Sequence, residues 1–312
     1  SAFGLGYAPA EWRALHETLH RRFAERLLIA AGVAVEGDQG RVWDRFRDRV
    51  TIPIRSARGA LVAFGGRTIG DELPKYLNSP ETPLFAKSHL LFAQDRAQRA
   101  FVKSDRAIVV EGYFDCLALH QAGIEDVVAT LGTALSEHHA RELARKVPRV
   151  VVCYDGDRAG RKAAVAALRT LLAANVDATV VLLPDGQDPD DIVRRQGREG
   201  FVAVLDAALT PVEFLLGEIG STREERRRNL GVALAVLNAC PDAVRRSLLK
   251  ENLAYATGIR LEELGESEAL RVAFAGSGDP AAAMPPPGEA AILRALLVDL
   301  EPAQRLSLLN DL

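Results

Sequence analysis

The sequence predicts an α/β protein with a Rossmann-like parallel-sheet core, an α+β subdomain before it and a helical subdomain after it. Three observations carry this. From Arg106 onward, short apolar runs alternate with amphipathic stretches at the spacing of βαβ units. Three of those runs end in carboxylates: Glu111 behind residues 107–110, Asp155 and Asp157 behind 150–154, and Asp188, Asp190 and Asp191 soon after 179–183. Outside the alternating region the pattern changes, to a hairpin-like arrangement before it and to purely helical spacing after it.

The core elements follow in order. Residues 107–110 read as a strand, then a helix over 114–121 closed by Gly123. A strand over 126–130 leads to a helix over 136–146, with Ser136 as N-cap. Residues 150–154 form the third strand, followed by an alanine-rich helix over 158–174. The fourth strand, 178–183, leads to a helix at 189–195. In such sheets, sites form at the carboxyl ends of the strands, which places Glu111, Asp155 and Asp188 on one edge.

Ahead of the core, residues 10–31 read as one helix, with Leu15, Leu19, Phe23, Leu27 and Leu28 on one face. Residues 50–54 and 60–64 read as hairpin strands joined by Ala57-Arg58-Gly59, and Gly65-Gly66 is expected to end the second. The polar segment 71–87 contains Pro74, Pro80 and Pro83 and shows little periodicity. A loop that long inside a compact domain is usually functional or disordered. Behind the core, amphipathic helices are expected at 201–208, 212–219, 226–237 and 244–256. The resulting division is a basic α+β subdomain (1–105), the parallel core (106–200), a helical subdomain (201–268), a flexible linker (269–288) and a leucine-rich helical segment (289–312).

Bulk properties narrow the function. A hydrophobic content of 48% and a charged content of 26% describe a protein with sizeable cores. No apolar stretch approaches the ~20 residues that span a bilayer. The amino terminus has neither a secretory signal nor an initiator Met, which suggests an internal piece of a longer protein. Three scattered cysteines, Cys116, Cys153 and Cys240, fit a reducing cytoplasm and make no disulfide framework. Charge is graded along the chain. Residues 1–104 carry 16 Lys and Arg against 11 Asp and Glu, residues 105–200 carry 12 against 15, and residues 201–312 carry 11 against 16. A basic first third beside an acidic middle suits a polyanion track leading to a cation site.

Each acidic turn has an ordinary explanation by itself. Asp115 can complement a helix dipole, Asp157 can cap a helix, and Asp188 before Pro189 can cap the next one. Their recurrence behind successive strands favours a shared site instead. Clustered carboxylates repel unless cations neutralise them, and oxygen donors suit hard divalent metals. Glu111, Asp155 and Asp157 are the expected ligands and catalytic residues, with Asp115, Asp188 and Asp190 serving a second ion or its surroundings. The chemistry this permits is metal-assisted phosphoryl transfer. His16, His20, His138 and His139 have no partner motif for nucleophilic catalysis.

The motif Glu111-Gly112-Tyr113-Phe114-Asp115 with Asp155-Gly156-Asp157 is similar to the TOPRIM pattern of primases, topoisomerases and some nucleases. The run from Pro74 through Asn78 to Thr82 resembles a signature of bacterial DnaG-type primases. So do Arg45-Phe46-Arg47-Asp48-Arg49-Val50, Phe64-Gly65-Gly66-Arg67 and the residues from Asp155 to Lys162. The resemblance runs from about residue 6 to 264. Phe114 and Cys116 depart from it, standing where the family has Met and a small aliphatic residue.

The resemblance implies a TOPRIM core that joins ribonucleotides into short RNA primers on single-stranded DNA, with Mg²⁺ or Mn²⁺ as cofactor. Arg67, Lys75 and Lys87 then match a basic ridge for template DNA, Arg45 and Arg47 match basic residues near the active site, and Tyr76 and Asn78 lie in the signature loop. It also implies ribonucleoside triphosphates as substrates and a replicative helicase as partner through the carboxyl-terminal region. A single-stranded DNA-binding protein is a further implied partner. Zinc is expected only in an amino-terminal domain, since no Cys/His ligand spacing occurs here. A TOPRIM nuclease and a non-catalytic TOPRIM DNA-binding module remain the alternatives.

Overall fold

The structure is a computed structural model of the 312-residue chain and describes residues 3–70, 72–220 and 223–259. The expected linker (269–288), the leucine-rich segment (289–312) and residues 260–268 lie outside the described residues. Two compact units divide between Leu90 and Leu91.

The first unit contains β1 (Gly6–Ala8), α1 (Ala14–Leu19), α2 (Glu25–Ala30), β2 (Ala34–Glu36), β3 (Val42–Asp44), β4 (Arg49–Arg55), β5 (Leu61–Thr68) and β6 (Tyr76–Asn78). Strands β1-β4-β5-β6 form an antiparallel sheet, and β2 and β3 form a separate pair. The single helix expected over 10–31 is two helices. The Asp44 carboxylate accepts the N–H groups of Leu15 and His16 at 2.7 and 2.8 Å and so fixes the start of α1. His20 Nδ1 lies 3.0 Å from the His16 carbonyl at the far end. Ala24 is extended (ψ 142°), and Phe23 turns into a cluster with Leu28, Ala31 and Val42. Burying Phe23 there accompanies the break in the helix.

Gly65-Gly66 does not end the second hairpin strand. β5 continues through both glycines to Thr68, because Phe46 packs against the bare Cα of Gly66. A Cβ there would lie 2.7 Å from Phe46 Cδ1. Part of the polar segment 71–87 is likewise ordered as an edge strand, with Gly65 opposite Asn78 and Arg67 opposite Tyr76. Two arginines hold that strand. Arg45 donates from Nε and Nη2 to the Asn78 carbonyl at 3.0 and 2.8 Å, and Arg49 donates to the Lys75 carbonyl at 3.3 Å. Hydrogen bonds from charged donors are each worth about 1.5–3 kcal/mol. Arg45→Ala should therefore loosen β6, seen as faster hydrogen exchange at residues 76–78 with β4 unaffected. Unchanged exchange would show that the clamp is incidental.

The second unit runs α3 (Gln94–Ser104), β7 (Arg106–Val110), α4 (Tyr113–Gln121), β8 (Val127–Ala129), α5 (Glu137–Ala144), β9 (Arg149–Tyr154), α6 (Arg158–Ala173), β10 (Asp177–Leu182) and α7 (Pro189–Asp206). Helices α8 (Pro211–Ile219), α9 (Arg223–Asn238) and α10 (Ala243–Thr257) follow. Helix α3 buries Ala97 and Phe101 in one cluster with Val109 and Val128, so packing places residues 91–105 with this unit. Gly197, at φ +68°, interrupts α7 and joins the helix expected near 189–195 to the one expected at 201–208. Ser136 caps α5 as expected, accepting the His139 N–H.

The four strands are parallel, in spatial order β10-β9-β7-β8. Alternate residues Val109, Val128, Val150, Val152 and Val180 join one buried cluster with side chains of α3, α5, α6, α8 and α9, while α4 packs against α7. Cover on both faces explains the continuous apolar runs in the sequence. From β7 the chain crosses to β8 on one side and then returns to β9 on the other. The carboxyl ends of β7 and β9 therefore flank the switch point at which open α/β sheets form their sites.

Candidate active site

Registers place the strand ends at one level. Val109 pairs with Val152, and Tyr154 with Leu182. Glu111 thus leaves β7 beside Asp155 leaving β9, and the β10–α7 loop carries Asp188 to the same edge.

Glycines let these turns approach one another. A Cβ on Gly156 would lie 2.1 Å from the Pro184 carbonyl oxygen, and Gly156 N–H donates to the Gln187 carbonyl at 3.1 Å. A Cβ on Gly160 would lie 2.3 Å from the Asp155 carbonyl oxygen. The β9–α6 turn is therefore pressed against the β10–α7 loop, and the spacing Asp155-Gly156-Asp157…Gly160 is a packing requirement as well as a donor pattern. A Cβ on Gly112 would meet Asp115 Oδ2 at 2.7 Å, so the Asp115 carboxylate folds back over the β7–α4 turn.

The electrostatics show which acids share the site. Burial, then the charges of Asp155 and Asp157, pushes Glu111 from 4.5 up to about 7. Burial, then the charges of Asp188 and Asp155, pushes Asp115 from 3.8 up to about 7. Asp155 is raised by burial, with Asp188 and Asp157 adding to it. The backbone N–H groups of Asp155 and Asp190 partly offset the rise at Glu111 and Asp115 respectively. Asp157 and Asp188 also cap helices, Oδ1 of each accepting an N–H at 2.7 Å, from Gly160 and Asp191. Asp190 pairs with Arg194 at 2.9 Å and Asp191 with Arg195 at 3.8 Å. Five of the six predicted acids are thus electrostatic neighbours of Glu111 or Asp155, and Asp190 joins through Asp115.

A pH dependence follows. Between pH 4.5 and about 7, folded Glu111 holds a proton that the unfolded chain has released, so cation-free stability falls as pH rises through that window. Asp115 acts in the same direction from 3.8. Denaturation in chelator should show wild type losing stability relative to Glu111→Gln between pH 5 and pH 8. A difference that stays flat or grows in favour of wild type would contradict the burial of a repelled carboxylate.

The donors suit a hard divalent cation. All are carboxylate oxygens, their charges raise the proton affinity of Glu111, Asp115 and Asp155, and Glu111 Oε1 is buried with no hydrogen-bond partner. Among the described residues, no three His, Cys, Asp or Glu side chains stand together in ligand geometry. Glu111 and Asp115 are the residues whose environment most favours a neutralising charge.

In the first unit, the predicted basic residues have distinct settings. Lys75, just before β6, and Tyr76, its first residue, are exposed, with Lys75 Nζ 5.6 Å and the Arg67 guanidinium 6.0 Å from the Tyr76 ring centre. Arg47 lies 4.1 Å over the Trp12 ring, which meets Trp43 edge-on at 5.9 Å. Lys87 is half-buried, and its backbone N–H donates to Glu81. Arg45 and the Asn78 carbonyl are joined in the β6 clamp described above. Trp12 is not marked by any sequence motif, although it is one of only two tryptophans in the chain. Nor does the sequence single out Thr130, which directly follows β8 and donates from Oγ1 to the Glu111 carbonyl at 3.4 Å.

Comparisons with known proteins agree with this arrangement. Residues 1–98 match the family model described as "DNA primase catalytic core, N-terminal domain", and residues 108–193 match "Toprim-like". A DNA primase of Pseudomonas putida is 41% identical over 278 residues, covering 85% of this chain and 42% of that protein. The chain thus spans less than half the length of that curated relative. The crystal structure of a DNA primase domain from Pseudomonas aeruginosa is 41% identical, with a TM-score of 0.77, covering 85% of this chain and 86% of that one. A structure described as the DnaG primase catalytic domain bound to ssDNA is 39% identical, with a TM-score of 0.74, covering 84% and 85%. Identity at this level along nearly the whole of a solved domain, with the carboxylates on the expected sheet edge, places the chain in the family of DnaG-type DNA primase catalytic cores with a Toprim domain.

Proposed function

We propose that the chain is the nucleotidyl-transfer core of a primase, joining ribonucleotides into RNA primers on single-stranded DNA in the cytoplasm. The observation that carries this is the group of close carboxylates at the switch point of the parallel sheet, among which Glu111, Asp115 and Asp155 are raised by burial and by neighbouring acids. Membership of the primase family and the likeness to a catalytic domain solved with single-stranded DNA support it.

Glu111, Asp155 and Asp157 would hold Mg²⁺ or Mn²⁺, with Asp115, Asp188 and Asp190 around them. When bound, such an ion lowers the pKa of an attacking hydroxyl and neutralises charge on the phosphates. The protein's part is positional. Asp157 and Asp188 are fixed by their capping bonds, and Gly156 locks their two loops together. Arg47, Arg67, Lys75 and Lys87 supply phosphate contacts, and Tyr76 offers a ring face to a base. Arg45 and Asn78 keep the signature strand in place. Binding of single-stranded DNA should weaken steeply between 50 and 200 mM salt, roughly in proportion to the phosphates contacted. A salt-insensitive affinity would remove the basic-ridge assignment. Helicase and single-stranded DNA-binding protein are proposed as partners of the longer protein.

The experiment is incubation with Mg²⁺ and labelled single-stranded DNA, with and without ribonucleoside triphosphates. Template-dependent RNA is the expected product. Cleavage of the DNA would indicate a nuclease, and retention alone a binding module.

A further inference from the structure

Three basic residues, Arg158, Arg161 and Lys162, follow the Asp155-Gly156-Asp157 turn. By position in the chain, each could serve the phosphates of a substrate. Their settings in the fold differ. Arg158 and Lys162, four residues apart, are exposed on one face of α6. Arg161 is half-buried and turns the other way, where its Nη2 pairs with the Glu218 carboxylate on α8. These partners lie 57 positions apart, so tertiary packing and not helical spacing brings them together.

Both ends of this contact are held. On α6, the Arg161 N–H donates to the Asp157 carbonyl at 3.0 Å, within the first turn that Asp157 caps through the Gly160 N–H. Gly160 lies against the Asp155 carbonyl, so this turn carries both acids of the motif. On α8, Phe214, Leu215 and Ile219 are buried, and the Glu218 carbonyl accepts from Asn229 Nδ2 of α9 at 2.9 Å. Glu218 is the last residue but one of α8, so the guanidinium also complements the negative end of that helix. Burial, neighbouring acids and backbone N–H groups shift Glu111, Asp115 and Asp155, and Arg161 is not among the groups that do so. What Arg161 contributes to the acidic edge is therefore geometry.

We propose that Arg161 is a positioning residue for the Asp155–Asp157 turn, tying the first turn of α6 to the carboxyl end of α8 through Glu218. This gives the helical elements behind the parallel sheet a part in the site. The proposal rests on the reading of Asp155 and Asp157 as site residues. Groups that orient metal-binding side chains typically change metal affinity 10–100-fold when removed.

The test compares Arg161→Met, Glu218→Gln and the double variant. Without divalent cation, amide hydrogen exchange at Gly160 and Arg161 should be about 5-fold or more faster in each single variant, while residues 150–154 exchange as in the wild type. With cation, Mn²⁺ binding followed by electron paramagnetic resonance should weaken roughly 10-fold in each. The double variant should be no worse than either single one, because both remove the same contact. Arg161→Lys, which keeps the charge, should recover part of the affinity. Wild-type exchange and Mn²⁺ affinity in Glu218→Gln overturn the proposal, and so do losses that add in the double variant. Glu218→Gln decides the matter even where Arg161→Met fails to fold. A wild-type protein that binds no Mn²⁺ would instead sink the cation reading of the site, and exchange at Gly160 would still decide the Arg161 link.

Discussion

Asp155→Asn should remove primer synthesis while making the cation-free protein more stable. The loss expected is on the order of 10³-fold in kcat, equivalent to about 4 kcal/mol of transition-state stabilisation. An amide at 155 keeps the shape of the turn, since Asp155 contributes its backbone to the close contact with Gly160. What it removes is a charge that raises the proton affinity of both Glu111 and Asp115. With chelator at pH 8, the variant should therefore melt about 2 °C or more above wild type, as a gain near 1 kcal/mol predicts for a domain of this size. The two changes have opposite signs because the site keeps repelled carboxylates together for function at a cost in stability. Unchanged primer synthesis would remove Asp155 from the site. A lower melting temperature would mean that its carboxylate is a structural partner instead of a repelled charge.

Gly156→Ala is the second large effect, and it acts through packing. The added methyl would sit 2.1 Å from the Pro184 carbonyl oxygen and 2.6 Å from that of Leu183. Neither is a flexible side-chain end, so the β9–α6 turn or the β10–α7 loop must move. Overpacking of this kind costs about 1–3 kcal/mol, and more where backbone must shift. The hydrogen bond from Gly156 N–H to Gln187 lies in the same contact and should lengthen. Activity should fall further than stability, because Asp155, Asp157 and Asp188 are carried on the two displaced segments. Thermal melting with a primer-synthesis assay on the same preparation checks both. A variant with wild-type melting and activity would show that this contact does not set the geometry of the acidic edge.

How much of this was legible in the sequence depended on the range of the interaction. The parallel core could be read because buried strands and amphipathic helices have different local periods, and Ser136 because capping is local chemistry. The carboxylate pattern could be read because strand ends in a parallel sheet share an edge. The single helix expected over 10–31 starts only near Ala14, where the distant Asp44 accepts the Leu15 and His16 N–H groups, and it breaks before Glu25, where the burial of Phe23 accompanies the extended Ala24. Gly65-Gly66 looked like a break, and only the packing of Phe46 explains why a strand runs through it. Helix α3 was overlooked although Ala97 and Phe101 are one helical turn apart. At the site, sequence distinguished the acids by motif alone. The dual use of Asp157 and Asp188 as caps, and the placing of Arg45 on a backbone carbonyl, appear only in three dimensions.

The central claim is that the carboxylates at the ends of β7 and β9 form a divalent-cation site. Crystals soaked in Mn²⁺ and measured at the manganese absorption edge test it most directly. An anomalous peak bounded by Glu111, Asp155 and Asp157, absent from Asp155→Asn crystals treated alike, is the predicted result. A peak elsewhere on the chain, or one at this edge that survives in Asp155→Asn, would contradict it.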